Sequence, residues 1–236
     1  SMNINRELAK KILYQVLVGL YHAHQNFIIH CDIKPQNILI DENYYDIVIT
    51  DWGHSQLEYS AVKGGKDIHV QTLYYRAPEV LLGDPDYTNK IDIWSAAIVY
   101  YQMVSAMMLF IGDDEQEIFN NIIKYLGSPN IDDWPEIIDF YRYDDLVLNN
   151  PFTIGTEFPT TGDPIADDLL FGMLRLNPKD RLSAAEALNH PFFDSIRTRN
   201  FKDILDISKI EQLPDLITHE ISTKNRLPVI NWLEQV

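Results

Sequence analysis

Four side chains in two short stretches could do chemistry together. His30-Cys31-Asp32-Ile33-Lys34-Pro35-Gln36-Asn37 sets a carboxylate, an ammonium and a carboxamide within eight positions, and Asp51-Trp52-Gly53 adds a second carboxylate fourteen residues after Asn37. Transfer of a γ-phosphoryl group needs a carboxylate near the acceptor hydroxyl, a cation on the phosphate in flight, and oxygen ligands for Mg2+. Asp32 can supply the first, Lys34 the second, and Asn37 with Asp51 the third. Mg2+ takes few hard protein oxygens and completes its shell with water and phosphate oxygens, so a carboxamide and a carboxylate at the two ends of a hairpin suit it. Taken alone, each piece has a plainer reading: an Asp-Trp-Gly is more often just a turn.

Such groups act together only if the chain holds them. Leu8, Ile12, Val16 and Leu20 recur every four positions with Leu13 and Leu17 beside them, which predicts an amphipathic helix over 6–25. Lys10 and Lys11 are expected to face solvent from it. Phe27-Ile28-Ile29 is a short apolar run, and His30 to Asn37 a polar loop. Ile38-Leu39-Ile40 and Ile47-Val48-Ile49 read as a hairpin with its turn between Asp41 and Asp46. From Trp52 to Tyr75 the pattern is irregular, with a flexible tip at Lys63-Gly64-Gly65-Lys66. Beyond Ala77 helices are expected at about 77–82, 91–110, 114–126, 135–139, 164–176 and 183–189, punctuated by Gly and Pro, with 140–163 an ordered surface loop. The expected fold class is therefore mainly α: a helical bundle with a small β-hairpin.

With 46% hydrophobic and 23% charged residues the chain fits a soluble globular domain, and 236 residues suffice for one core. The lone cysteine, Cys31, excludes an intramolecular disulfide framework and fits a cytoplasmic or nuclear setting. A net charge of −16 disfavours nucleic acid and anionic membranes as partners; it serves solubility or a taste for basic substrates. Ile91 to Ile111 is long enough to span a bilayer, yet it carries Asp92 and Gln102 and lacks basic flanks, so a buried core helix is expected.

The first block resembles the protein-kinase signature H-R-D-L-K-x-x-N, and Asp51-Trp52-Gly53 resembles its D-F-G. Thr72-Leu73-Tyr74-Tyr75-Arg76-Ala77-Pro78-Glu79 looks like the T-x-x-Y-x-A-P-E segment, Asp92-Ile93-Trp94-Ser95 like the block on the buried helix, and Arg181 with His190-Pro191-Phe192-Phe193 like the end of the family's large lobe. All stand in the family's order over residues 6–193. The resemblance implies ATP and Mg2+ as cofactors, a protein hydroxyl as substrate, Asp32 and Lys34 as catalytic residues, and Lys34, Asn37 and Asp51 at the nucleotide and metal. It also implies that Asp92 holds the catalytic loop, that Glu79 and Arg181 form a buried ion pair, and that Thr72 bridges Asp32 and Lys34, a feature of Ser/Thr kinases. Arg76 and Asp67 belong to the activation segment. The Trp of Asp51-Trp52-Gly53 is similar to that of casein-type kinases. Tyr75-Arg76-Ala77-Pro78-Glu79, Tyr125-Leu126-Gly127-Ser128-Pro129 and the 127–163 stretch resemble the cyclin-dependent/MAP-kinase (CMGC) branch, which implies Ser/Thr acceptors often followed by proline.

The chain also departs from the family. Cys31 replaces the arginine that pairs with a phosphorylated activation segment, and Asp67 stands at the position of the usual phosphothreonine. Both halves of that switch are changed together: either the segment is not controlled by phosphorylation there, or the kinase is drifting. The family's Gly-rich loop, phosphate-binding lysine and partner glutamate are not found before the first helix, so the expectation is a kinase C-lobe with the N-lobe absent, weak in ATP binding and inactive alone. Its completion is expected from an N-lobe in cis or from a regulatory protein. Residues 194–236 read as an extension docking on the lobe, and 223–236 are similar to the first helix of a cyclin box, although a plain docking helix explains them as well. The competing class is a non-catalytic, kinase-like binding module.

Overall fold

The computed structural model describes residues 5–41, 46–59, 66–156, 158–197 and 226–228. α1 (Arg6–Gln25) forms where its periodicity predicts. The Asn5 side chain accepts the Glu7 N–H at 2.9 Å, satisfying one of the orphan donors of the first turn. Its stripe of Ile12, Leu13, Val16, Leu17 and Leu20 is buried, and the helix packs on α3 (Lys90–Ser105), α6 (Ala184–Leu188) and β3 (Ile47–Ile49). Lys11 faces solvent as expected, but Lys10 does not: its ammonium lies 4.6 Å from the centre of the Phe192 ring. A long aliphatic stem lets a lysine lie across an apolar surface that a helical-wheel reading calls exposed.

β1 (Ile28–Ile29) pairs antiparallel with β4 (Gln56–Leu57), Ile28 opposite Leu57. The stretch after Trp52 therefore holds a strand that the sequence does not announce, since two residues are too few to show a period. β2 (Ile38–Asp41) and β3 form the expected hairpin, with Ile38 opposite Ile49 and Ile40 opposite Ile47. Ile38 and Ile40 enter the core while Leu39 is half-buried on the other face. The outer edge of β2 is taken by β5 (Arg226–Pro228), Leu39 opposite Pro228 and Asp41 opposite Arg226. At 226–228 the expected tail helix is thus corrected to strand, because an unpaired edge offers backbone partners and an edge strand tolerates proline. The rest of that helix, the hairpin turn at 42–45 and the Lys63-Gly64-Gly65 tip lie outside the described residues.

The remainder is helical: α2 (Pro78–Leu81), α3, α4 (Glu115–Leu126), α5 (Pro164–Met173) and α6. α3 is buried on every side from Ile91 to Tyr101, which explains its unbroken apolar run; no described helix is long and apolar enough to cross a membrane. It stops at Ser105 rather than Phe110, with Ala106 at φ 55° ending it in the left-handed region. Pro135–Asp139 is a 3-10 turn, and Asp144–Leu148 is a π-helical turn inside the expected 140–163 loop.

Candidate active site

The site hangs on one buried acid. Asp92, fully buried in α3, accepts the His30 N–H on Oδ2 at 2.9 Å and the Cys31 N–H on Oδ1 at 3.0 Å. His24 Nε2, one turn beyond the Leu20 of the α1 stripe, reaches the same Oδ2 at 2.9 Å. Three donors compensate the desolvation of the carboxylate, and they fix the start of the 30–37 loop to the core. His30 continues the chain of contacts: its Nδ1 accepts the Asp32 N–H at 3.2 Å, which leaves Nε2 to donate to the Thr50 carbonyl at 3.0 Å. The Trp52 ring meets the imidazole edge-on at 4.6 Å, and its Nε1 donates to the Ile49 carbonyl at 3.1 Å.

Asp32 is buried and its acceptor positions are filled. Oδ1 takes the Thr72 N–H at 3.0 Å and the Thr72 hydroxyl at 2.8 Å; Oδ2 faces Lys34 Nζ at 2.6 Å and Asn37 Nδ2 at 3.2 Å. Lys34 Nζ also donates to Thr72 Oγ1 at 3.0 Å, so the Thr72 hydroxyl joins the two. Burial pushes the Asp32 carboxyl up, but the hydrogen bonds from Lys34 and Thr72 and the Lys34 charge outweigh it and hold it below the usual carboxylate range. The structure brings Asp32, Lys34, Asn37 and Thr72 together as one constellation.

Asn37 donates to the Asp32 carbonyl at 2.8 Å as well as to its carboxylate. With Nδ2 so engaged, Oδ1 is the atom it can turn to a cation. Thr50 N–H donates to the Asn37 carbonyl at 2.8 Å, closing the open end of the hairpin and setting Asp51 next to it. Asp51 is exposed and takes φ 61°. Among the described residues no three His, Cys, Asp or Glu gather as a metal cage. An oxygen pair of this kind fits Mg2+, which needs only one or two protein oxygens besides phosphate and water.

Cys31 at φ 67°, Asp51 at φ 61° and Gln71 at φ 64° are non-glycine residues in the left-handed region, and all three border this site. Such strain persists where surrounding contacts over-determine the backbone. Gln71 shows how. Its Nε2 donates to Ser95 Oγ at 2.7 Å and the Ile91 carbonyl at 3.0 Å, its Oε1 accepts the Ala77 N–H at 3.0 Å, and its own N–H donates to the Cys31 carbonyl at 2.9 Å. Arg76 folds back so that its Nη2 donates to the Gln71 carbonyl at 2.8 Å, and it pairs with Glu115, which Arg142 shares. Sequence reading had named Arg76 but missed Gln71, Glu115 and His24. Only His24 carried a signal, since a polar residue on a buried stripe demands a partner.

Glu79 and Arg181 form a fully buried bidentate pair at 2.6 and 2.8 Å, which ties α2 to the turn before α6. Asp67 lies apart from this constellation. It is exposed and its carboxylate accepts the His69 N–H at 2.8 Å. A groove of about 610 Å³ between Tyr125, Trp134 and Arg175 also lies away from the loop.

A family model described as the protein kinase domain matches residues 1–193. The match covers most of the chain, and the chain belongs to the protein kinase family.

Proposed function

We propose that the chain carries the residues for Ser/Thr-directed phosphoryl transfer from Mg·ATP to protein hydroxyls, as a member of the cyclin-dependent/MAP-kinase branch that is inactive without a cover over the nucleotide. The observation that carries this reading is the closed set Asp32–Thr72–Lys34–Asn37. Bound Mg·ATP supplies the phosphoryl group and the cation that neutralises its charge. Asp32 orients the acceptor hydroxyl and takes its proton. Because its acceptor positions are full, a hydroxyl enters by exchange, and Lys34 is the partner free to leave for a phosphate oxygen. Asn37 and Asp51 would hold the metal.

A proline after the acceptor suits the segment that follows. The Gln71 carbonyl is occupied by Arg76, so an incoming backbone N–H finds no acceptor there, and proline has none to satisfy.

The exposed Phe27, Trp52, Leu57 and Tyr59, with Phe27 and Tyr59 in edge contact at 5.2 Å, favour a further lobe or a regulatory protein, cyclin-like in one reading, covering this face. On that reading residues 1–236 alone bind Mg·ATP weakly. Calorimetry is expected to give no micromolar affinity, and a micromolar dissociation constant would overturn the need for a cover. The coding sequence before Met2 separates enzyme from binding module: a Gly-rich loop and phosphate-binding lysine there favour the enzyme, a stop codon the module. Expressed with that sequence, the protein should phosphorylate a basic Ser/Thr peptide, and Asp32→Asn should abolish transfer while preserving the thermal transition. Transfer that survives Asp32→Asn would sink the assignment.

A further inference from the structure

We infer that Tyr87 is the positioning residue that fixes the activation segment to the turn before α3, so that the segment is ordered without a phosphate. Tyr87 is 1% exposed, and its hydroxyl donates to the backbone carbonyl of Asp67 at 2.9 Å. One side chain therefore ties the segment to the turn before α3. Lys66 closes the clip from the other side: its Nζ donates to the Tyr87 carbonyl at 2.6 Å and sits 5.0 Å from the ring centre, and its N–H donates to the Pro85 carbonyl at 3.2 Å. A second tie, from the Gln71 N–H to the Cys31 carbonyl at 2.9 Å, anchors the far end just before Thr72.

No ion pair holds this arrangement. Cys31 is fully buried, and burial first, then the nearby Asp92 charge, pushes its thiol up so that it stays neutral. It offers Asp67 nothing to pair with. The Asp67 carboxylate is exposed and turned onto the His69 N–H of its own loop, so it does not act as a fixed anion at the catalytic loop. What the segment uses of Asp67 is the carbonyl, which every residue has. With no cation at 31, an anion at 67 has no partner there, and the Tyr87 hydroxyl anchors the segment through the Asp67 carbonyl instead. This deepens the phosphoryl-transfer reading, because the segment ends at Thr72 against Asp32; the ordering itself is measurable whether or not transfer is seen.

The test is hydrogen–deuterium exchange of the full chain, followed by mass spectrometry on peptides over 66–72. Tyr87→Phe removes only the hydroxyl and should speed exchange there by about tenfold, the worth of one lost buried hydrogen bond, with α1 and α3 peptides unchanged. Lys66→Met, on a half-buried side chain, should move the same peptides about threefold. Asp67→Ala should change the His69 amide alone. Phosphatase treatment and high salt should leave wild-type exchange as it was. In a peptide-phosphorylation assay of the protein expressed with the coding sequence before Met2, Tyr87→Phe should raise the peptide KM several-fold and leave the KM for ATP unchanged, a split that general destabilisation would not give. Unchanged exchange in both Tyr87→Phe and Lys66→Met would overturn the inference. So would Asp67→Ala loosening the whole segment, or salt or phosphatase doing so, since each would reveal an ionic anchor. No transfer by the wild type expressed with the coding sequence before Met2 would count against the proposed function and leave the exchange result standing.

Discussion

His24 Nε2 and Asp92 Oδ2 stand 2.9 Å apart in the protein core, on two different helices, and the same oxygen also accepts the His30 N–H. The pair joins α1 to α3 at the point where α3 grips the catalytic loop. His24→Phe leaves Asp92 with its two backbone donors and should cost about 1–3 kcal/mol in urea unfolding. Asp92→Ala strands the His30 and Cys31 N–H groups and His24 together, and should cost about 3–5 kcal/mol. Equal losses in the two variants would contradict this ranking.

Glu79 and Arg181 are both wholly buried, so removing either leaves an uncompensated charge. Glu79→Leu and Arg181→Met should each destabilise by about 3–5 kcal/mol, while the double variant Glu79→Leu with Arg181→Met should lose less than the sum of the singles. Strict additivity in chemical denaturation would mean that the pair is not coupled.

Thr72 lends its hydroxyl to both Asp32 and Lys34. If the phosphoryl-transfer reading holds, Thr72→Ser keeps most of kcat, and Thr72→Val lowers it by about 10- to 100-fold with little change in melting temperature. A fully active Thr72→Val enzyme would show that the bridge is incidental.

Asp84 gives a pH signature of stability. Burial first, and then the nearby Glu79 and Asp86 charges, push its carboxyl up to about 6 from 3.8, against the pull of the Asp86 N–H and Lys66. Between those values the folded chain holds a proton that the unfolded chain releases, so stability falls as pH rises through this window, and the loss is complete above about 6. The difference of about two units sets a ceiling of about 3 kcal/mol. Asp84→Asn, which can still accept the Asp86 N–H, should melt higher than wild type near about pH 8 and no higher near about pH 4. An equal gain at both would point to a cause other than ionisation.

The candidate residues for the chemistry could be picked out before any fold was known. Asp32, Lys34, Asn37 and Asp51 lie close along the chain, and α1, α3 and the hairpin announce themselves by period and length. That is so because phosphoryl transfer restricts the residue types, and because amphipathic or wholly apolar runs restrict where a helix can lie. Thr72, Asp92 and Arg181 were identified only through resemblance, since their partners are 40, 62 and 102 positions away. Nothing local indicates that they meet. The strand pairing of β4 and β5, the Gln71 brace, the His24–Asp92 contact and the Tyr87 anchor were decided by tertiary structure alone. Each is a polar or backbone group whose partner lies on another element, and burial makes such partners obligatory without naming them. Thus the sequence by itself determined which atoms could do the chemistry. Only the folded chain decided what holds them still, because a hydrogen bond is specified by proximity in space and not by spacing along the chain.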